Sequence, residues 1–356
     1  MAKPKVFIYQ PVDETGASHR KLESAGVEVK LGRGAWETGQ SNQRTAGQAE
    51  LALDRDTVIG VGVANRQMQL TRKTLAGAPE LRMICKYTVG YDNVDLDAAS
   101  ELGILVVHSP TECNWGGVAE GTVGNILTML KKTREKDRHV KNGQWRDPAL
   151  QGVYLGRRQD GYGGMTLGII GLGRIGSRVA DLFRPWRMRI LAYDPYVDES
   201  KFVHHNATPV DLDTLLGESD VVTIHTNLTK ETTRFIGAKE LAKMKKSAIL
   251  VNAARGPIVD VDALFDALEK DQIAGAALDV LPEEPPDPQL PLLGLGDKVL
   301  LSPHMIANTK GGGLKEAIPW VTTAVLDVLK GQVPRHVVNT EVIPAWQARF
   351  GGKSLI

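Results

Sequence analysis

Between Leu167 and His304 the apolar residues fall into short, nearly continuous runs at 167–170, 190–193, 221–225, 248–251, 276–280 and 299–301, each followed by a turn and a helical stretch. A strand covered on both faces needs apolar side chains on both, so these runs predict the buried strands of a parallel sheet joined by crossover helices. Buried helix is the competing reading of any short apolar run. Here the runs are bounded by Gly, Pro or Asp and are too short for helices. The opening part of the chain repeats the pattern more weakly, at 6–9, 58–63, 83–87 and 104–107, and predicts a second, smaller α/β domain. A length of 356 residues is enough for two cores.

Two longer helices stand out. From 118 to about 142 the chain carries Ile126, Leu127 and Leu130 and then turns charged from Lys131 to Lys141, which predicts one long helix with a buried first half, a natural bridge between domains. A second is expected from about 315 to 330, closed by Gly331, with Pro319 near its start or kinking it. The stretch 282–291 reads as a proline-rich loop.

Charge narrows the function. Forty-three Lys and Arg against forty-two Asp and Glu leave a formal charge of +1, which argues against nucleic acid or an anionic membrane surface as partner. The opening Met1-Ala2-Lys3-Pro4-Lys5 leads into a strand-like run rather than a signal peptide, and no apolar stretch approaches the roughly 20 residues of a membrane span. Two cysteines, Cys85 and Cys113, are too far apart for a metal or redox pair and too few for a disulfide framework. No metal site and a reducing, cytoplasmic setting are expected.

Candidate chemistry begins at Gly171-Leu172-Gly173-Arg174-Ile175-Gly176, a GxGxxG match that follows a predicted strand and opens a predicted helix. The first glycine permits a tight turn, the second lets the backbone approach a pyrophosphate, and the third lets helix and strand pack closely. Helix N-terminal amides then stabilise phosphate charge. Asp194 ends the next predicted strand, where its carboxylate can accept hydrogen bonds from an adenosine ribose and would repel a 2'-phosphate. NAD is therefore expected over NADP, with Arg174 the one nearby cation that would soften the choice.

Three further residues follow later strands, at the carboxyl ends where open parallel sheets assemble their binding crevices. Arg255, in Val251-Asn252-Ala253-Ala254-Arg255-Gly256, could hold a carboxylate in a bidentate fork and polarise a keto oxygen, or form only a surface salt bridge. His304 ends Leu300-Leu301-Ser302-Pro303-His304, and Glu284 sits in the proline-rich loop where it could pair with the imidazole. Such a pair would shuttle a proton: neutral imidazole takes it from a hydroxyl on oxidation and imidazolium returns it on reduction.

Together with Val89-Gly90-Tyr91-Asp92-Asn93-Val94-Asp95, these motifs resemble the D-isomer-specific 2-hydroxyacid dehydrogenases, from about Ile84 to Val338. The resemblance implies two Rossmann-like α/β domains: a doubly wound NAD-binding domain over 111–309, and a smaller flavodoxin-like substrate domain, discontinuous, from 1–110 and 310–356. It further implies that Arg255 orients a small 2-hydroxy or 2-keto acid, that Glu284 and His304 are the acid/base pair, and that the Val89 and Gly90 region holds the carboxylate. NAD would be contacted by Gly171, Gly173, Arg174, Ile175, Gly176, Asp194, Thr226, Ala253 and Asp279. D stereochemistry and a homodimer formed through the nucleotide domain come from the same source.

The chain departs from the family pattern in three places. Asn227 replaces a common proline, Trp115 opens the long helix, and Met305-Ile306 is bulkier than the usual small-residue turn. Trp115 and Met305 are candidates for shaping the substrate pocket, with plain interdomain packing as the alternative. A related formate dehydrogenase pairs its histidine with glutamine, so Glu284 speaks against that activity. An NAD-sensing corepressor keeps all three residues, but this sequence has no long disordered extension.

Overall fold

The structure is a computed structural model that describes residues 3–33, 49–50, 52–64, 68–309 and 313–356. The chain forms two compact units, one from Met1–Asn114 with Thr309–Ile356 and one from Trp115–Asn308.

In the first unit, β1 (Lys5–Ile8), β2 (Glu28–Leu31), β4 (Thr57–Gly62), β6 (Met83–Lys86) and β7 (Leu105–Val107) form a parallel sheet in the order β2-β1-β4-β6-β7. The two-residue strands β3 (Ala49–Glu50) and β5 (Met68–Gln69) pair separately. Counted within the sheet, the order 2-1-3-4-5 is that of flavodoxin-like folds. Successive side chains alternate between faces, so Val6 and Ile8 enter one core and Phe7 and Tyr9 the other. The first core is closed by Ala317–Leu329 and Ile343–Phe350, whose Trp346 is fully buried and donates from its indole nitrogen to the Arg82 carbonyl at 2.9 Å. Pro319 sits in the first turn of its helix, where a missing N–H costs nothing.

In the second unit, β8 (Thr166–Ile170), β9 (Arg189–Tyr193), β10 (Thr208–Pro209), β11 (Val221–Ile224), β12 (Ile249–Asn252), β13 (Gly275–Leu278) and β14 (Val299–Leu301) lie in the order β10-β9-β8-β11-β12-β13-β14, all parallel. This is the doubly wound order with one added strand. Separate apolar cores cover its faces, one with Ile170, Val222, Leu250 and Leu278, the other with Leu167, Ile169, Val221 and Val251.

One expectation needs correction. The long helix begins earlier, at Glu112, and is not continuous: Lys132 takes a left-handed conformation with φ 51°, so Glu112–Lys131 and Thr133–Lys141 are separate helices. β2 was not anticipated because Glu-Val-Lys-Leu at a sheet edge has no apolar run. β10 escaped for its length of two residues.

Candidate active site

Strand register places the candidate residues. Tyr193, Ile170, Ile224, Asn252, Leu278 and Leu301 are paired in turn across the second unit's sheet, so its strands end on one row. Asp194, Gly171, Thr226, Ala253, Arg255, Asp279 and His304 all follow within three residues of that row. The topology therefore brings them to a single sheet edge.

At β8 the turn is built as the spacing requires. Gly171 has φ 90°, and a Cβ there would lie 2.9 Å from the His225 carbonyl. A Cβ on Gly176 would fall 2.0 Å from the Gly171 oxygen, so only glycine lets the helix Arg174–Phe183 sit this close to its strand. A Cβ on Gly173 would meet nothing within 4 Å, which leaves open space beside the first-turn amides of Arg174, Ile175 and Gly176. Asp194 accepts from the Leu172 amide at 2.8 Å and from the Tyr196 amide at 3.0 Å, tying the turn to the end of β9. Beside it lies an open cavity of about 480 Å³ lined by Asp194, Pro195, Val197, Phe202 and Val210. An amide cradle, free space at its second glycine and an adjoining hollow with a carboxylate fit a dinucleotide. Thr226 is half-buried after β11, its hydroxyl donating to the Asn227 carbonyl at 3.3 Å.

After β12, a residue that sequence reasoning passed over shapes the turn. Asn252, almost fully buried, accepts from the Ala254 amide at 3.0 Å and donates to the Arg255 carbonyl at 2.9 Å. Asparagine at a strand end is a turn former, and that was the available signal. Ala253 is buried within this turn, and Arg255 is half-buried, donating through one guanidinium nitrogen to the Ala254 carbonyl at 2.7 Å. A Cβ on Gly256 would fall 2.0 Å from Leu281, so glycine is what lets this turn rest against the loop that carries Glu284.

Glu284 and His304 are brought together: Nδ1 of the imidazole lies 2.8 Å from Oε2 of the carboxylate, whose Oε1 accepts from the Leu281 amide at 3.1 Å. His304 has φ 53°, a left-handed conformation that a side chain rarely takes. Asp279 stabilises it. Buried at 2% exposure, its carboxylate accepts from the Ser302 hydroxyl at 2.6 Å and the Met305 and Ile306 amides at 3.0 and 3.2 Å. Burial is the main influence on this carboxyl and raises its pKa above the ordinary value. Trp115 is half-buried in the first turn of Glu112–Lys131 and Met305 is 53% exposed.

In the first unit, Val89 and Gly90 follow β6 in an ordered segment. The Val89 carbonyl lies 2.9 Å from Nδ1 of His108, and the Gly90 carbonyl accepts from the Thr88 hydroxyl at 2.7 Å. With both carbonyls engaged, the Val89 and Gly90 amides have no acceptor among the described residues. Among the described residues, no group of three or more His, Cys, Asp or Glu is placed to hold a metal ion, and no helix is long and apolar enough to cross a membrane.

Comparison with known proteins agrees with this architecture. Residues 123–306 match the family described as D-isomer specific 2-hydroxyacid dehydrogenase, NAD binding domain. A glyoxylate reductase of Thermofilum pendens is 37% identical over 347 residues, covering 96% of both chains. A D-3-phosphoglycerate dehydrogenase of Archaeoglobus fulgidus is 36% identical over 335 residues; the match covers 94% of this chain but only 59% of that longer relative. Among solved structures, D-lactate dehydrogenase from Aquifex aeolicus, complexed with NAD and lactic acid, superposes with a TM-score of 0.77 at 27% identity, covering 96% of this chain and 98% of that one. The fold, the nucleotide turn and these matches together show that the chain belongs to the D-isomer specific 2-hydroxyacid dehydrogenase family.

Proposed function

We propose that the protein is an NAD-dependent dehydrogenase acting between a D-2-hydroxy acid and the corresponding 2-keto acid, with Arg255, Glu284 and His304 as its working residues. Bound NAD would supply the hydride acceptor or, reduced, the donor. Gly171 to Gly176 would hold its pyrophosphate, Asp194 its adenosine ribose, and Thr226, Ala253 and Asp279 the strand-end surface beside it.

The contact between His304 and Glu284 carries the reading. An ionised carboxylate at Nδ1 fixes that nitrogen as N–H, which leaves Nε2 with the lone pair that removes a hydroxyl proton. When Nε2 is protonated, the same carboxylate stabilises the imidazolium that returns the proton to a keto oxygen. Arg255 supplies a permanent positive charge in a geometry suited to a carboxylate and an adjacent oxygen. The Val89 and Gly90 amides of the first unit would supply neutral donors for a substrate carboxylate.

A homodimer formed through the nucleotide-binding unit belongs to this reading, supported by the exposed Trp145, Tyr154 and Trp186 of that unit. Sedimentation gives its mass directly. A cytoplasmic setting is supported by Cys85 and Cys113, which are both free thiols.

The test is NADH oxidation by the purified protein across a panel of 2-keto acids, from glyoxylate and hydroxypyruvate to branched and aromatic ones, beside a His304→Ala variant. Turnover that falls by about 10²- to 10⁴-fold in the variant is the expected result. Tight NADH binding with no turnover of any acid would overturn the reading.

A further inference from the structure

Lys86 ends β6 with no solvent exposure, and among the described residues no carboxylate forms an ion pair with it. Its ammonium donates to the Tyr9 hydroxyl at 2.7 Å, to Oδ1 of Asn93 at 2.8 Å and, at 3.5 Å, to the Val63 carbonyl. All three acceptors are neutral. A buried charge is ordinarily paired with its opposite, so an arrangement that holds one on neutral groups alone asks for a reason.

The surroundings are shaped for it. The Tyr9 ring crosses β4 at Gly62, where a Cβ would fall 2.1 Å from the ring, so glycine at that position is what lets the hydroxyl reach the lysine. Asn93 is anchored in turn, donating to the Met68 carbonyl at 2.6 Å while its own carbonyl accepts from the Leu70 amide at 2.8 Å. The Lys86 carbonyl accepts from the Ser109 hydroxyl at 2.8 Å. The side chain thus runs from the root of the segment 87–92 to its far end at Asn93, and inside that segment lie the Val89 and Gly90 amides.

We propose that Lys86 is a positioning residue for the substrate carboxylate: its ammonium clasps the two ends of the segment 87–92, holding the Val89 and Gly90 amides for the acid, and its unneutralised charge strengthens their hold. This rests on the reading of those amides given above. The lysine is enclosed and does not touch the acid; it acts through the segment and through its field, which a low-dielectric interior transmits well.

The charge is pH-sensitive in a useful range. Burial pushes the ammonium's pKa down to about 7. Among the described residues the titratable groups acting around it are the Tyr9 phenol just after β1, kept neutral by burial, and, on its own segment, Asp92 and the Cys85 thiol, itself pushed up to about 12. The Asp92 carboxylate favours the charged lysine, whereas the Cys85 thiol is uncharged in this range. Sign follows directly. The ammonium is present at acid pH and lost as pH rises through its pKa, while a 2-keto acid stays ionised throughout, so affinity for the acid weakens with rising pH.

Oxamate binding to the NADH-loaded protein, measured by calorimetry at about pH 6 and about pH 8.5, tests this without relying on turnover. Wild type is expected to lose about tenfold in affinity across that window. Lys86→Met is expected to bind about tenfold more weakly at the lower pH and to show a flatter profile. Any contribution from His304 is common to both proteins, so the difference between profiles is the readout. For glyoxylate, KM should rise in the variant with kcat within about twofold. Tyr9→Phe, which keeps the ring over Gly62, should weaken binding in the same direction and guards against misfolding of the first variant. Oxamate affinity and pH profile unchanged in Lys86→Met, or an equal loss at both pH values together with a loss of kcat, would overturn the proposal. Wild-type protein that does not bind oxamate at all would instead overturn the assignment of the Val89 and Gly90 amides on which it rests.

Discussion

The backbone amide of His304 donates to the carbonyl of Asp279 at 2.8 Å, while the Asp279 carboxylate reaches past it to the Met305 and Ile306 amides. One buried residue thereby brackets the histidine from both sides and stabilises its left-handed backbone. Asp279→Asn keeps the shape but exchanges one acceptor oxygen for a donor facing the Ile306 amide. A loss of about 1–3 kcal/mol is expected, read as a 10- to 100-fold fall in kcat with the fold intact. An unchanged kcat would remove the positioning role.

Gly173 and Gly176 make opposite predictions. At Gly176 a methyl collides with the Gly171 oxygen, so Gly176→Ala should lower Tm by several degrees, corresponding to about 1–3 kcal/mol. At Gly173 a methyl meets no protein atom within 4 Å, so Gly173→Ala should leave Tm within a degree or so of wild type and weaken NADH binding. Thermal melts paired with NADH fluorescence titration separate the two. Equal effects of both substitutions on Tm would mean that the space at Gly173 is not reserved for a ligand.

Asp194 is expected to set the choice between the two nicotinamide dinucleotides. Asp194→Ala removes the repulsion of a 2'-phosphate and also the anchor for the Leu172 and Tyr196 amides. NADH affinity should drop about tenfold while NADPH gains relative to it by about one further order of magnitude. Dissociation constants for both, side by side, decide this. A variant that preserves the wild-type ratio would place the discrimination elsewhere.

His225, beside the nucleotide turn, gives a prediction about acid stability. Burial holds its pKa down at about 3, and its Nδ1 has no hydrogen-bond partner among the described residues. Between the ordinary histidine pKa of about 6.5 and that lower value, the unfolded chain binds a proton that the folded chain does not. Stability attributable to this neutral imidazole is therefore present above that window and lost as pH falls through it, at up to about 1.4 kcal/mol per pH unit. In denaturant melts from pH 7 to pH 4, His225→Gln should show a shallower slope. Parallel slopes would argue that the imidazole protonates freely in the native state.

How far the sequence disclosed all this depended on whether a residue's role is local. The central strands were visible because each, covered on both faces, is written as an apolar run; Val221 to Ile224 is fully buried at both alternations. Glycine spacing and Asp194 were visible because their geometry is fixed within one strand-helix-strand unit. The break at Lys132 was not, since no Gly or Pro marks it and a left-handed lysine carries no sequence signature. Lys86 was invisible for a different reason. Its meaning depends on Tyr9, 77 residues away, and on the glycine that lets that ring pass. Asn252 and Asp279 likewise acquire their positioning roles from backbone amides that only the folded turns present to them.

The common row of strand ends in the second unit has a consequence for how such a protein can change. The candidate residues that follow its strands lie along one margin of the sheet, whereas the opposite margin, where Thr166, Val221, Ile249 and Gly275 begin their strands, carries none of them. Specificity and robustness are thus written on different borders of the same scaffold. On the proposed reading, a lineage can exchange one turn to accept a new acid while its hydrophobic framework stays unaltered, and it can harden the far border against heat without touching a candidate residue.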